Sequence, residues 1–226
     1  MQLTYKGKTK DVYKLDDGNT LLVFKDDMTG EDGKFDPGAN TVGLTIDGAG
    51  AAGLLMSVYY FELLNKKGYL THYISSEENR MTVKTATMFG DGLEVICRYK
   101  AMGSFIRRYG DYIKEGTPLD ALVEMTLKND KANDPLINKD ALEALGILQH
   151  GEYEKIKLLM QNICNEIKND LQKIGMELCD IKLEFGKDNH GNLMLIDEIS
   201  GGNMRVMKDG VVVSPLELSR LVVCYP

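Results

Sequence analysis

CDIKLEFGKDNHGNLMLIDEIS, Cys179 to Ser200, is the stretch on which the fold turns. Two apolar-rich runs flank a polar turn, Lys187 to Asn192, which is a β-hairpin signal. Period-two alternation puts Asp180, Lys182 and Glu184 on one face of the first strand, and Leu193, Leu195 and Asp197 on one face of the second. A turn centred between Asn189 and His190 sets Lys182 opposite Asp197, with Glu184 on the diagonal. A register two residues away sets Glu184 against Asp197. Either one gathers two carboxylates and an ammonium on an otherwise apolar hairpin. Buried charges need partners or a metal. Carboxylates in this setting suit Mg²⁺, which shares its oxygen ligands with nucleotide phosphates. The competing reading is a Lys182–Asp197 salt bridge on a solvated sheet face, and the hairpin alone leaves both open.

Working outward, the segment before the hairpin predicts the longest helix, about Glu152 to Ile174. Ile156, Leu159, Met160, Ile163, Ile167, Leu171 and Ile174 form a 3.6-period stripe, and Gly175 stops it. This stripe is core and carries no chemistry. A second helix runs from Gly50, with Leu54, Leu55, Val58, Phe61 and Leu64 near one face and Gly68 past its end. Strands are expected at Tyr5, Val12–Leu15, Leu21–Phe24, Thr71–Ser75, Met81–Thr87, Leu93–Tyr99 and Val123–Lys128. A short helix is expected at Ala141–Leu145. The tail after Val211 reads as a Val-rich strand and one helical turn near Leu216–Val222. Strands and helices do not alternate regularly, so the class is α+β.

Two further stretches invite anions. The turn in Tyr5-Lys6-Gly7-Lys8-Thr9-Lys10 offers backbone N–H groups and ammonium charge, although basic turns are usually only solvated. The stretch from Arg98 through Gly103-Ser104 to Arg107-Arg108 ends a strand and opens a short helix, an anion-binding geometry. The alternative is that Ser104 only caps its helix while the two later arginines are surface charges. Asp26 to Asn40 reads as a long acidic, Gly-rich loop.

The chain has 226 residues, 43% apolar and 27% charged, with net charge −7 and pI near 5.1. That balance argues against non-specific nucleic-acid binding but allows a local cationic pocket. No apolar run approaches a membrane span, and the N-terminus lacks a signal peptide's apolar core. Cys97, Cys164, Cys179 and Cys224 are scattered, so neither zinc nor disulfides are called for, and a reduced cytoplasm fits. His72, His150 and His190 show no paired-ligand spacing.

Nine motifs in order resemble the SAICAR synthetase family (phosphoribosylaminoimidazole-succinocarboxamide synthase). They are YKGKTK at Tyr5–Lys10, FKDDMT at Phe24–Thr29, Val83-Lys84, LEVICR at Leu93–Arg98, GSFIRR at Gly103–Arg108, LKND at Leu127–Asp130, DPLIN at Asp134–Asn138, DIKLEFG at Asp180–Gly186 and IDEIS at Ile196–Ser200. The resemblance implies an ATP-dependent ligase of purine biosynthesis that joins the carboxylate of the ribonucleotide CAIR to the amine of L-aspartate, with ATP and Mg²⁺. It implies a small antiparallel β-lobe, residues 1–99, over an α+β lobe, residues 100–226, with ATP in the cleft. It implies a cytoplasmic homodimer that engages small molecules, with no nucleic acid and no membrane. Carried over by position, Lys8, Lys10, Lys84 and Lys128 lie at the nucleotide. Glu184 and Asp197 hold the metal, with Lys182 beside them in the catalytic set. Arg98, Ser104 and Arg205 hold the acceptor's phosphate and carboxylate, and Asp27 and Asp32 lie in the matching acidic loop.

The sequence departs from the family pattern on the acceptor side. Ala49 replaces a lysine, Gly53 and Leu54 replace asparagines, and Gly201-Gly202-Asn203 replaces a segment that normally brings an acidic residue. The loop from Gly33 to Gly43 is longer than usual, and the family's final helix is not expected after Arg220. A related amide ligase with another acid or amine, and a nucleotide-binding protein without ligase activity, are the alternatives these departures raise.

Overall fold

The computed structural model describes residues 1–31, 33–38 and 41–224. In chain order the strands β1 Gln2–Lys6, β2 Lys10–Lys14 and β3 Thr20–Phe24 lead into β4 Asp27–Glu31, β5 Lys34–Phe35 and β6 Val42–Thr45. Helix α1, Ala49–Lys66, precedes β7 Tyr73–Glu77, β8 Arg80–Val83, β9 Thr87–Met88 and β10 Leu93–Lys100. Then come α2 Ser104–Tyr109, β11 Pro118–Leu127, α3 Lys139–Ala144, α4 Glu152–Lys173 and β12 Met176–Lys187. The chain closes with β13 Leu193–Ile196, β14 Met204–Lys208, β15 Val211–Val212 and α5 Pro215–Val223.

One antiparallel sheet has the order β1-β2-β3-β8-β7, and a second runs β11-β10-β12-β14-β15, with β9 and β13 paired to the far end of β12. This is the expected α+β class. The change of sheet falls between β8 and β9. Strand β10, counted from sequence within residues 1–99, is therefore hydrogen-bonded into the second sheet. The sheets meet where His72 N–H donates to the Leu195 carbonyl and His72 O accepts from Lys84 N–H.

Strand β12 is the spine. Ile181, Leu183 and Phe185 are each 1% exposed and share one apolar cluster with Ile156, Met160, Ile163, Ile167 and Leu171 of α4. Burying each such side chain is worth about 1.5–3 kcal/mol, which makes this contact the main anchor of the second sheet. The opposite face of the same strands carries charge: Glu94 lies beside Glu184, and Arg98 lies beside Asp180.

The hairpin forms, in a register midway between the two expected. Glu184 pairs with Ile196 and Lys187 with Leu193. Asp188 accepts from the backbone N–H groups of His190 and Asn192, and Gly191 takes φ 82°, giving an odd-numbered loop rather than an even one. Continued as a regular strand, this register would send Asp197 to the face away from Glu184. The strand instead stops at Ile196, and Asp197 adopts φ 67°.

Two other expectations change. The acidic segment forms a three-stranded sheet, β5-β4-β6, where a loop is expected. Its Asp and Gly content masks the alternation that marks a strand. The tail forms a nine-residue helix rather than one turn: the Ser214 hydroxyl caps it and Pro215 opens it. Helix α5 packs on α1, and its Ser219 hydroxyl donates to Ala52 O at 2.5 Å.

Candidate active site

A cavity of about 970 Å³ opens between the two sheets. Its walls come from the β1–β2 turn, β4, the start of α1, the end of β11, and the β12–β13 pair. Glu184, on β12, and Asp197, just past the end of β13, both line it. Each has a lysine partner: Lys128 Nζ lies 2.5 Å from Glu184 Oε1, and Lys10 Nζ lies 3.1 Å from Asp197 Oδ1. Lys10 also pairs closely with Glu198. Lys8 lines the cavity and donates to Asp130 at 2.9 Å, while Lys84 and Asp27 sit on its wall. The Asp27 carboxylate accepts from the Thr45 hydroxyl. Asp32 lies outside the described residues.

Burial and charge work against each other here. Burial alone would lower the Lys10 pKa, but Asp197 and Glu198 overcome it and hold the ammonium well above its ordinary value. Lys128 is raised in the same way, burial being outweighed by Glu184 and Asp197. Burial would raise Asp197, yet Lys10 and Lys128 hold it down at about 2. Glu184 is raised, first by burial, with Lys128 opposing and Asp197 adding repulsion. Two carboxylates thus share a desolvated wall, each paired to a lysine, with a mutual repulsion that adds to the rise in Glu184.

Among the described residues, no three side chains of metal-binding type converge. Two carboxylates still suit Mg²⁺, which keeps several waters and takes its remaining oxygens from phosphates. A divalent cation would also offset the repulsion that raises Glu184.

Lys182 does not pair with Asp197 or Glu184. Its Nζ lies 2.7 Å from Glu94, a residue the sequence reading does not single out. Thr126 donates to the other Glu94 oxygen at 2.8 Å, and Lys182 holds the Glu94 carboxyl below its usual range despite burial. The signal was present in Leu93–Arg98: Glu94 shares a strand face with Arg98 at spacing four. What sequence lacks is the neighbouring strand that brings Lys182 alongside.

His72 is likewise missed. It is buried, its Nε2 lies 3.0 Å from the Asp197 carbonyl, and its ring meets Phe61 edge-on at 5.1 Å. Burial lowers its pKa to about 4, so the imidazole is neutral and its Nε2–H donates to that carbonyl. His72 thereby braces the left-handed backbone that turns Asp197 into the cavity.

The acceptor-side residues gather in a second cluster. Arg98 is 1% exposed, and its three nitrogens donate to Glu124, Asp180 and the Ser104 hydroxyl at 2.8–2.9 Å. Ser104 does not cap α2. Arg205 donates to Asp180 and Asp36, Arg107 to Asp36, and Arg108 to Glu124, so neither later arginine is a bare surface charge. Gly103, at φ 54°, is pressed against Arg205, whose guanidinium a Cβ would meet at 2.4–2.7 Å. The cluster borders a small cavity that Lys182 and Asn203 also line.

The departures from the family pattern also lie at the first cavity, which Ala49, Gly53, Gly201 and Gly202 line. A Cβ at Gly53 would make ordinary contact with Glu198 and Ser200, so a small side chain there would pack without strain.

The family model for SAICAR synthetase matches residues 3–212. The chain is 58% identical to a phosphoribosylaminoimidazole-succinocarboxamide synthase of Clostridium tetani, over 99% of this chain and all of that one. It is 37% identical to the synthase of Thermotoga petrophila, over 93% of this chain and 87% of the other. Among solved structures, a SAICAR synthetase (Type-2) in complex with ADP superposes with TM-score 0.87 at 31% identity, covering 98% and 97% of the two chains. The phosphoribosylaminoimidazole-succinocarboxamide synthase of Ehrlichia chaffeensis superposes with TM-score 0.88 at 27% identity over the full length of both.

Proposed function

The chain belongs to the SAICAR synthetase family, and from that premise we propose that it joins CAIR and L-aspartate to give SAICAR, with ATP going to ADP and phosphate. The observation that carries the reading is the cavity itself, where Lys10 and Lys128 lie beside Asp197 and Glu184 between two sheets. That combination suits phosphoryl transfer, in which positioning and charge neutralisation do most of the work.

Lys8, Lys10, Lys84 and Lys128 set the ammonium charge that meets the phosphates. Glu184 and Asp197 would hold Mg²⁺, which would supply positive charge against the nucleotide phosphates. A carboxylate is a poor electrophile, so the acceptor's carboxylate is activated by phosphorylation before the aspartate amine attacks and phosphate leaves. Lys182, tied to Glu94 on the sheet face between the two cavities, balances charge where activated acceptor and amine meet. Ser104 and Arg205 take the acceptor's anionic groups. Arg98, buried beneath them, fixes Ser104 and Asp180 and acts through them. Asp27, which lines the same cavity, is assigned to the acceptor.

We further propose two lobes with the nucleotide between them, a homodimer, and a cytoplasmic location. Four free thiols, three of them buried, are compatible with a reducing compartment. Among the described residues, no helix is long and apolar enough to cross a membrane.

The test is turnover. Incubated with ATP, Mg²⁺, CAIR and L-aspartate, the protein should release ADP only when both organic substrates are present. ADP release with another acid or amine, and none with this pair, would assign a different ligase reaction.

A further inference from the structure

The acceptor cluster already contains an anion. The Asp36 carboxylate lies between Arg107 and Arg205, with Oδ2 2.9 Å from Arg107 Nη1 and Oδ1 2.5 Å from Arg205 Nη2. Its Oδ1 also accepts from Gly38 N–H at 2.8 Å. The adjoining Pro37 and Gly38 cover the small cavity over Arg98, Ser104 and Arg205. Although burial would raise it, Gly38 N–H and the arginines hold the Asp36 carboxyl below its ordinary range, so it is ionised.

Asp36 differs from the other carboxylates of the cluster. Glu124 and Asp180 are side chains of β11 and β12 and are fixed in the sheet. Asp36 comes from the segment after β5. Its backbone is held by Thr29, which accepts Asp36 N–H at 3.2 Å and whose hydroxyl donates to Asp36 O at 3.0 Å. Release of the carboxylate would break its bonds to Arg107, Arg205 and Gly38 N–H while leaving these two backbone bonds in place. Four guanidiniums (Arg98, Arg107, Arg108 and Arg205) face three carboxylates (Asp36, Glu124 and Asp180). Without Asp36, two positive charges are uncompensated. A phosphomonoester dianion carries about two negative charges and three acceptor oxygens, and pairs with arginines through charge-assisted bonds.

We propose that Asp36 is a resident counter-anion, occupying the phosphate subsite when the acceptor is absent and exchanging with the acceptor's phosphate when it binds. This rests on the acceptor reading above and adds a specificity element to it. A singly charged carboxylate arriving at the site only replaces like with like. A phosphate dianion gains a charge and an oxygen over Asp36, so the site favours phosphorylated acceptors over their nucleosides.

The test uses inorganic phosphate as probe, titrated calorimetrically into the full chain without nucleotide or acceptor. Asp36→Asn removes the competitor and should tighten phosphate binding roughly tenfold, about 1.4 kcal/mol. KM for the phosphorylated acceptor should fall in parallel, while KM for ATP stays unchanged. Asp36→Glu keeps the charge and should keep the wild-type phosphate affinity, which separates exchange from a general loosening of the segment. Unchanged or weaker phosphate binding in folded Asp36→Asn would overturn the proposal. Because the titration needs no turnover, it stays decisive even if CAIR and L-aspartate prove to be the wrong pair.

Discussion

His72 shows how much a single residue can carry by bracing another. Its neutral ring braces Asp197, and that neutrality has a pH cost. The unfolded residue titrates near 6.5 and the folded one near 4, so between these values the unfolded chain binds more protons and stability falls as pH falls. From pH 7 to pH 5 the loss is about 2 kcal/mol. Asp197, held at about 2 against an ordinary 3.8, adds a further loss only below pH 3.8. Denaturant unfolding at pH 7 and pH 5 should show the first decline in the wild type and a flatter one in His72→Gln. An equal decline in both would remove His72 from the account. Arg98 gives a second residue-level prediction. Arg98→Lys supplies one compact ammonium where three carboxylate and hydroxyl partners need a planar fork. Breaking one side of a buried ion network typically costs about 3–5 kcal/mol. A large fall in Tm together with weakened acceptor binding is expected; unchanged Tm with weakened ATP binding would move Arg98 out of this cluster. That Glu184 and Asp197 come together was legible in the sequence because the two carboxylates stand out beside apolar strands. His72 and Glu94 were not, because their partners arrive from strands far away in the chain.

At the scale of elements, period and length were good guides where burial is one-sided. The α4 stripe and the β12–β13 hairpin both follow from apolar spacing. Register was not legible to the residue, because the Asp188 side chain and Gly191 close an odd loop that apolar pattern cannot distinguish from an even one. The acidic segment β4–β6 escaped for a related reason: Asp, Gly and Thr surround Met28 and Leu44, which pair across the strands, so no alternating apolar face shows in the sequence. Helix α5 is placed by close packing that also explains one departure from the family pattern. A Cβ on Gly201 would lie 2.7 Å from Pro215 Cα, so the IDEIS segment runs directly under the start of α5. Gly201→Ala should displace that helix and cost about 1–3 kcal/mol, read as a lower Tm with the helical signal of α1 and α4 retained. An unchanged Tm would show that the contact is not tight in solution.

The molecule as a whole carries net charge −7, yet sets lysines and arginines at two cavities that share the Lys182 face of β12. Composition argues against non-specific nucleic-acid binding but could not place these cations, since their clustering depends on sheet order. A ligand held between two sheets should stabilise both together. Saturating Mg²⁺–ADP at about 100 times its Kd adds about 2.7 kcal/mol to unfolding. Thermal unfolding should therefore shift upward as one transition, whereas two transitions with only one shifted would mean the nucleotide rests on a single lobe. The central claim is that Glu184 and Asp197 form the metal–nucleotide wall of a CAIR–aspartate ligase. Its most direct measurement is ADP release with ATP, Mg²⁺, CAIR and L-aspartate, comparing the wild type with Glu184→Gln and Asp197→Asn at matched folded fraction. The expected result is wild-type release that requires both organic substrates and falls at least about 100-fold in each variant, the loss of roughly 2.7 kcal/mol of transition-state stabilisation. Near wild-type release from either folded variant would contradict the claim.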